Sequence, residues 1–222
     1  MKKTKRIFTL FLALILSLGT LLSLGACSDS GNTVYLVIED YGMVTIELYE
    51  SKAPITVKNF KKLVNDDFYD GLTFHRIIKD YMIQGGDPKG NGTGGSDEDI
   101  IGEFAANGYN TGIEHVEGTI SMARSGSPYE EYLYQGYDVP PEYLEPAFNS
   151  ASSQFFIVTE TSAKNSYFLD GKYAAFGRVT EGMDVIKRVA AVKTGGNDKP
   201  IVPVKIAVIT FDRAEAEAKL QK

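Results

Sequence analysis

The chain has 222 residues, 43% hydrophobic and 23% charged, a usage that excludes a wholly disordered or collagen-like protein. One cysteine excludes an intrachain disulfide framework and any multi-cysteine zinc or iron–sulfur site, and two histidines offer little for a metal centre. The formal charge of −6 is uneven: residues 1–26 hold Lys2, Lys3, Lys5 and Arg6 and no acid, leaving nineteen basic against twenty-nine acidic side chains in the rest, a balance unsuited to tracking nucleic-acid phosphates or to adhering to anionic lipid by a basic face.

Met1–Arg6 is basic, and Ile7–Leu22 is an apolar stretch interrupted only by Thr9, Ser17, Gly19 and Thr20. This is the pattern of a secretory signal peptide, slightly short for spanning a ~30 Å hydrocarbon core. It ends on Leu24-Gly25-Ala26-Cys27, which resembles the lipobox of bacterial lipoproteins, whose cysteine is diacylated and becomes the mature N-terminus. The expectation is a lipoprotein signal peptide over 1–26, lipidation of Cys27, and a short tether over 27–32. Acyl chains would make the membrane a partner, since each buried CH₂ contributes ~0.8 kcal/mol. The expected location is a bacterial cell membrane, lipid-anchored and facing outside the cytoplasm. Ordinary cleavage after Ala26 and a retained helical anchor are the alternatives.

Val34–Ile38 and Met43–Leu48 are β-rich runs around Asp40-Tyr41-Gly42, an antiparallel pair with a tight turn. Val44, Ile46 and Leu48 alternate with Thr45 and Glu47. Pro54 opens a helix with Val57, Phe60 and Val64 on one stripe. Leu72–Ile78 and Tyr81–Gln84 are further strands. Gly85–Gly95 holds six glycines in eleven residues, so it is an irregular loop. Gly118–Met122, Gln154–Thr159 and Ala174–Val179 are short β runs. Gly182–Val192 has helical spacing through Met183, Ile186, Val189 and Ala190. Val202–Phe211 is a last β run, and residues 213–222 are a charged tail, helical but frayed. Short strands, two helices and scattered glycines indicate an all-β-dominated antiparallel barrel or sandwich. Residues 33–212 form one domain.

Several motifs are specific. Phe74-His75-Arg76-Ile77-Ile78 precedes Tyr81-Met82-Ile83-Gln84-Gly85-Gly86-Asp87-Pro88. Gly118-Thr119-Ile120-Ser121-Met122-Ala123-Arg124 follows, then Ser153-Gln154-Phe155-Phe156-Ile157 and Phe168-Leu169-Asp170-Gly171-Lys172-Tyr173. In this order, from Thr33 to Phe211, the series resembles the cyclophilin family of peptidyl-prolyl cis–trans isomerases. The resemblance implies a closed eight-stranded antiparallel β-barrel capped by two α-helices, starting near Pro54 and Gly182, with the substrate groove on the barrel's outside.

The resemblance also implies roles. Rotation about an X–Pro bond is opposed by a barrier of ~18–20 kcal/mol, and the catalyst must favour the twisted amide. A guanidinium is permanently charged and presents donors in a rigid fork, so Arg76 is the catalytic candidate, bonding the carbonyl before the proline. Phe156, Met82 and Leu169 would hold the proline ring, with Tyr81 at the wall. Gln84 and Gln154 would bond the substrate backbone. His75 lines the groove or is structural, without an acid–base role. Ala123 gives a small floor, and Arg124 contributes backbone contacts. Phe168 and Tyr173 complete the substrate-binding set the resemblance implies, standing where many members have Trp and His. The missing indole N–H makes weak cyclosporin sensitivity the expectation.

No cofactor or metal is expected. The expected partners are proline-containing unfolded or exported polypeptides, without nucleic acid, for a monomeric folding catalyst. The alternative is a low-turnover module binding proline segments at the cell surface. Residues 125–152 form an insertion with five tyrosines, five acids and no Lys or Arg. It is either a rim that selects basic or extended clients or a packed surface loop whose tyrosines cover the barrel.

Overall fold

The computed structural model describes residues 31–221. The leader and Cys27, on which the signal-peptide and lipidation readings fall, lie outside the described residues. β1 (Thr33–Ile38) and β2 (Gly42–Leu48) pair antiparallel, with Thr33 opposite Glu47 and Ile38 opposite Gly42. The turn is tight because Asp40 and Gly42 take φ of 67° and 129°, conformations that Asp and Gly adopt more readily than other residues. Val44, Ile46 and Leu48 are buried and Glu47 faces water, as a period of two requires. β1 is buried on both faces. Val34, Leu36 and Ile38 join the main core, whereas Tyr35 and Val37 pack with Val208 and Ala216 on the other side.

α1 (Pro54–Asn65) buries the expected stripe of Val57, Phe60 and Val64, with Leu63 added. Phe60 meets the rings of Tyr69, Phe155 and Phe176 at 5.3, 5.9 and 5.1 Å, so the helix plugs the centre of the sheet. Its first turn has no capping side chain of its own. The buried Glu103 carboxylate instead accepts from Ile55 N at 3.2 Å, Thr56 N at 2.8 Å and Thr56 Oγ1 at 2.7 Å. An acid from a distant loop thus satisfies orphan donors at the positive end of the helix.

The other strands are β3 (Arg76–Ile78), β4 (Met82–Gly85), β5 (Thr119–Met122), β6 (Phe155–Val158), β7 (Ala175–Glu181) and β8 (Ile206–Thr210). They form one curled antiparallel sheet in the order β3-β4-β6-β5-β7-β2-β1-β8. The expected closed barrel is therefore corrected to an open one, since β3 and β8 are edges that share no ladder. β3 ladders over its three residues with β4 alone. The approaching chain meets β8's through a single Thr73–Lys205 bridge, flanked by Phe74 N to Val204 O at 2.9 Å and Ile206 N to Leu72 O at 2.8 Å. The seam is touched but not laddered. Register sorts the two faces. Ile77, Ile83, Ile157 and Ile120 lie opposite one another across β3, β4, β6 and β5 and point into the core. The neighbouring row of Arg76, Gln84, Phe156 and Ser121 is on the other face.

Five more helices follow among the described residues: α2 (Glu130–Tyr134), α3 (Glu145–Phe148), α4 (Ala163–Leu169), α5 (Met183–Ala190) and α6 (Arg213–Lys219). α1 and α5 are the two expected caps. α5 buries Val185, Ile186, Val189 and Ala190, and Met183 is only partly buried. The tail departs from the frayed helix expected of it. Asp212 caps α6 by accepting from Ala214 N at 2.8 Å, and Ala216 is fully buried against β1 and β8.

Candidate active site

On the sheet's outer face, β4, β6 and α4 bring Met82, Phe156, Val158 and Leu169 into a small apolar cluster separate from the main core. Met82, Phe156 and Leu169 are the floor of a groove of ≈ 180 Å³, walled by Tyr81, Ala123 and Tyr173 and edged by Arg76, Gln84 and Arg124. Nine of the expected site residues therefore share one surface cavity. Phe156 packs edge-on against Tyr173 at 5.6 Å.

The other three lie elsewhere. Gln154 lines an adjoining polar cavity of ≈ 410 Å³ that shares Gln84, Ala123 and Arg124 with the groove. Its Oε1 accepts from Gln84 Nε2 at 2.9 Å, and its own Nε2 donates to Gly94 O at 2.7 Å. This relay ties Gln84 to the glycine loop and leaves the Gln84 carbonyl end for a peptide N–H. Gly86 makes the approach possible. Its φ is 81°, and a Cβ there would lie 2.5 Å from Ser153 O. His75 is buried behind Arg76, and neither ring nitrogen has a hydrogen-bond partner among the described residues, so it does not line the groove. Phe168 turns outward, half exposed, and meets Tyr167 edge-on at 5.1 Å. It does not line the cavity, whereas its neighbour Leu169 on α4 does.

Arg76 is half exposed, and its Nε donates to Asp198 Oδ2 at 3.3 Å. Arg124 is its opposite. Its side chain is 3% exposed, forms a bidentate pair with Glu130 at 2.8 Å for each contact, and donates from Nε to Lys172 O at 3.0 Å. The rings of Phe104, Phe148 and Tyr173 surround it at 5.1, 4.9 and 4.8 Å. Burial would raise the Glu130 carboxyl, but the Arg124 guanidinium holds it below the usual carboxylate range. The side chain of Arg124 is thus an internal anchor for the insertion. It fastens α2 directly beside Ala123, while Leu144, Ala147 and Phe148 of the insertion are buried. All five insertion tyrosines are nonetheless exposed, between 39% and 61%, so they do not cover the barrel.

Sequence reasoning missed His115. Its Nδ1 donates to Asp170 Oδ1 at 2.9 Å, and its Nε2 accepts from Ser121 Oγ at 3.0 Å. The ring lies parallel to Phe156 at 6.0 Å and supports the groove floor from beneath. The signal was split: Ser121 is six residues from His115, but Asp170 is 55 away.

Both histidines sit below the ordinary imidazole value of 6.5. Burial is the main cause in each, opposed by Asp87 for His75 and by the Asp170 hydrogen bond for His115. The unfolded chain therefore takes up protons first as pH falls through 6.5. Their stabilising contribution is complete above that value and is lost progressively below it. The melting temperature should fall between about pH 7 and 5, and one that stayed level or rose would contradict the assignment.

Residues 33–211 match the family model of cyclophilin type peptidyl-prolyl cis-trans isomerases. A peptidyl-prolyl cis-trans isomerase-like 1 of Rhizopus delemar is 42% identical over 166 residues, covering 74% of this chain and 84% of that protein. Peptidyl-prolyl cis-trans isomerase ppi1 of Schizosaccharomyces pombe is 38% identical over 166 residues, 74% of this chain and 90% of that one. A crystal structure of a Cryptosporidium parvum cyclophilin type peptidyl-prolyl cis-trans isomerase in the presence of the dipeptide Ala-Pro matches with a TM-score of 0.64 at 27% identity, covering 81% of this chain and 98% of that one. These relatives are eukaryotic, and the family match begins past the leader, so the bacterial lipoprotein form draws no support from them.

Proposed function

Because the chain belongs to the cyclophilin-type peptidyl-prolyl cis-trans isomerase family, and so to that class of enzyme, we propose that it turns X–Pro bonds in the groove between Arg76 and Phe156. We further infer that its substrates are exported polypeptides, met at the outer face of a bacterial cell membrane to which a lipid on Cys27 holds it. The observation that carries the site is a charged guanidinium beside an apolar slot on one outer face, edged by an oriented amide.

Accelerating X–Pro rotation by four to six decades requires ~5–8 kcal/mol of stabilisation present in the twisted amide and absent from the planar one. Twisting ends the amide resonance and returns a lone pair to the prolyl nitrogen. A donor from Arg76 on the preceding carbonyl assists that localisation of charge. The Phe156–Met82–Leu169 floor holds the ring still while the carbonyl side turns, and the Gln84 carbonyl receives a substrate N–H. No bond breaks and no proton leaves the substrate. A protease-coupled assay on an Ala-Pro peptide tests the turnover, and a binding module without turnover would leave the rate at its uncatalysed value.

The lipid anchor rests on the apolar leader ending at the chain's single cysteine. Mass spectrometry of the mature protein should find Cys27 at the N-terminus carrying acyl chains. An unmodified Cys27, or a retained leader, would refute the anchor.

For the insertion, its rigid attachment beside Ala123, its outward tyrosines and its lack of basic residues favour a rim over a cover. Exposed rigid aromatic side chains bind at small entropic cost, and the acids suit cationic client segments. Changing Tyr132 and Tyr137 to Ser should slow a long basic client several-fold while sparing a tetrapeptide. Equal losses on both would count against the rim.

A further inference from the structure

We propose that Asp198 is a positioning residue for isomerisation: it grips the Nε edge of Arg76 so that the terminal N–H groups face the substrate carbonyl. The proposal rests on the reading of Arg76 as the catalytic group. Arg76 needs such a grip. It stands on a three-residue edge strand at the open seam of the sheet, and nearly half of its side chain is exposed. A long side chain so placed samples many rotamers, few of which aim the fork at the groove. The Nε contact removes that freedom and leaves both terminal nitrogens for a ligand.

The turn that delivers Asp198 supports the assignment. Asn197 and Asp198 both have φ of 58°, two successive non-glycine residues in the left-handed region. Asn and Asp are the non-glycine residues that enter this region most readily, and the contacts around them fix the turn. Gly195 N donates to Lys199 O at 2.8 Å, Thr194 bridges Pro200, and Ile201 N donates to Lys193 O at 3.0 Å. Lys199 Nζ donates to Gly90 O at 3.1 Å, which ties the turn to the glycine loop that also receives Gln154. The turn therefore holds Asp198 against the seam from the far end of the chain. An ion pair this exposed adds little to folding stability, so the effect of Asp198 falls on the aim of Arg76 rather than on the fold.

The test is a double-mutant cycle on the full chain, assayed with a short Ala-Pro peptide. Asp198→Asn keeps a side chain that tolerates the left-handed region but removes the charge. It should lower kcat by up to about fivefold with KM and melting temperature nearly unchanged, and Asp198→Glu should recover part of the loss. In the Arg76→Ala background, Asp198→Asn should have no further effect. If Arg76→Ala alone keeps the wild-type rate, the reading of Arg76 fails, and the proposal with it. If Arg76→Ala is slow but Asp198→Asn is not, or if Asp198→Asn costs as much in either background, the positioning proposal alone is overturned.

Discussion

Arg76→Ala is expected to lower kcat/KM on a short Ala-Pro peptide by ~10²–10³, the usual cost of deleting one donor aimed at developing charge. The loss should fall mainly in kcat, because the proline ring rests on Phe156, Met82 and Leu169, which the substitution does not touch. Stability should barely change, since the side chain is half exposed and its Asp198 pair is a surface one. A guanidinium keeps its charge across the working range, so the wild-type rate should also be nearly flat from about pH 6 to 8.5. A variant as fast as wild type would remove Arg76 from the chemistry.

The second large effect concerns stability. Arg124→Ala should destabilise the domain by ~3–5 kcal/mol, the cost of leaving one member of a buried pair without its partner. Glu130 would keep only the Ser127 amide at 2.8 Å and the Tyr134 hydroxyl at 3.1 Å, and three aromatic rings would lose the cation they surround. α2 would come away from Ala123, so binding of long clients should weaken as well. Replacing both partners with apolar residues, Arg124→Met with Glu130→Leu, should recover much of the stability, because the desolvation of two charges is then avoided. Calorimetry decides the matter: a change below ~1 kcal/mol for Arg124→Ala would mean that the insertion does not depend on this anchor.

Local alternation made the outer and inner rows legible in the sequence. Residues two apart on β4 and β6 must share a face, so the grouping of Met82 with Gln84 follows from their spacing alone. The helical stripe through Val57, Phe60 and Val64 was equally readable, because Pro54 marks its start and the period is local. What the sequence hid is long-range. The cap of α1 comes from Glu103, the partner of Arg76 is Asp198, and the support under Phe156 is His115 held by Asp170. No local pattern announces any of these. The open seam was hidden for a related reason: Leu72–Ile78 reads as a full strand, yet only Arg76–Ile78 finds a ladder partner, and pairing is not a property of one segment. Arg124 and Phe168 show the limit of motif matching. A motif fixes where a residue stands and, as for the backbone contacts expected of Arg124, leaves open where its side chain points: the arginine turns into the protein while Phe168 turns out.

The most direct measurement is a crystal structure of this chain soaked with an Ala-Pro dipeptide. The proline ring should lie on Phe156 between Met82 and Leu169, with a terminal Arg76 nitrogen within hydrogen-bond distance of the alanyl carbonyl. A dipeptide bound on the outward tyrosines, or seated in the groove with Arg76 turned away from that carbonyl, would contradict the account.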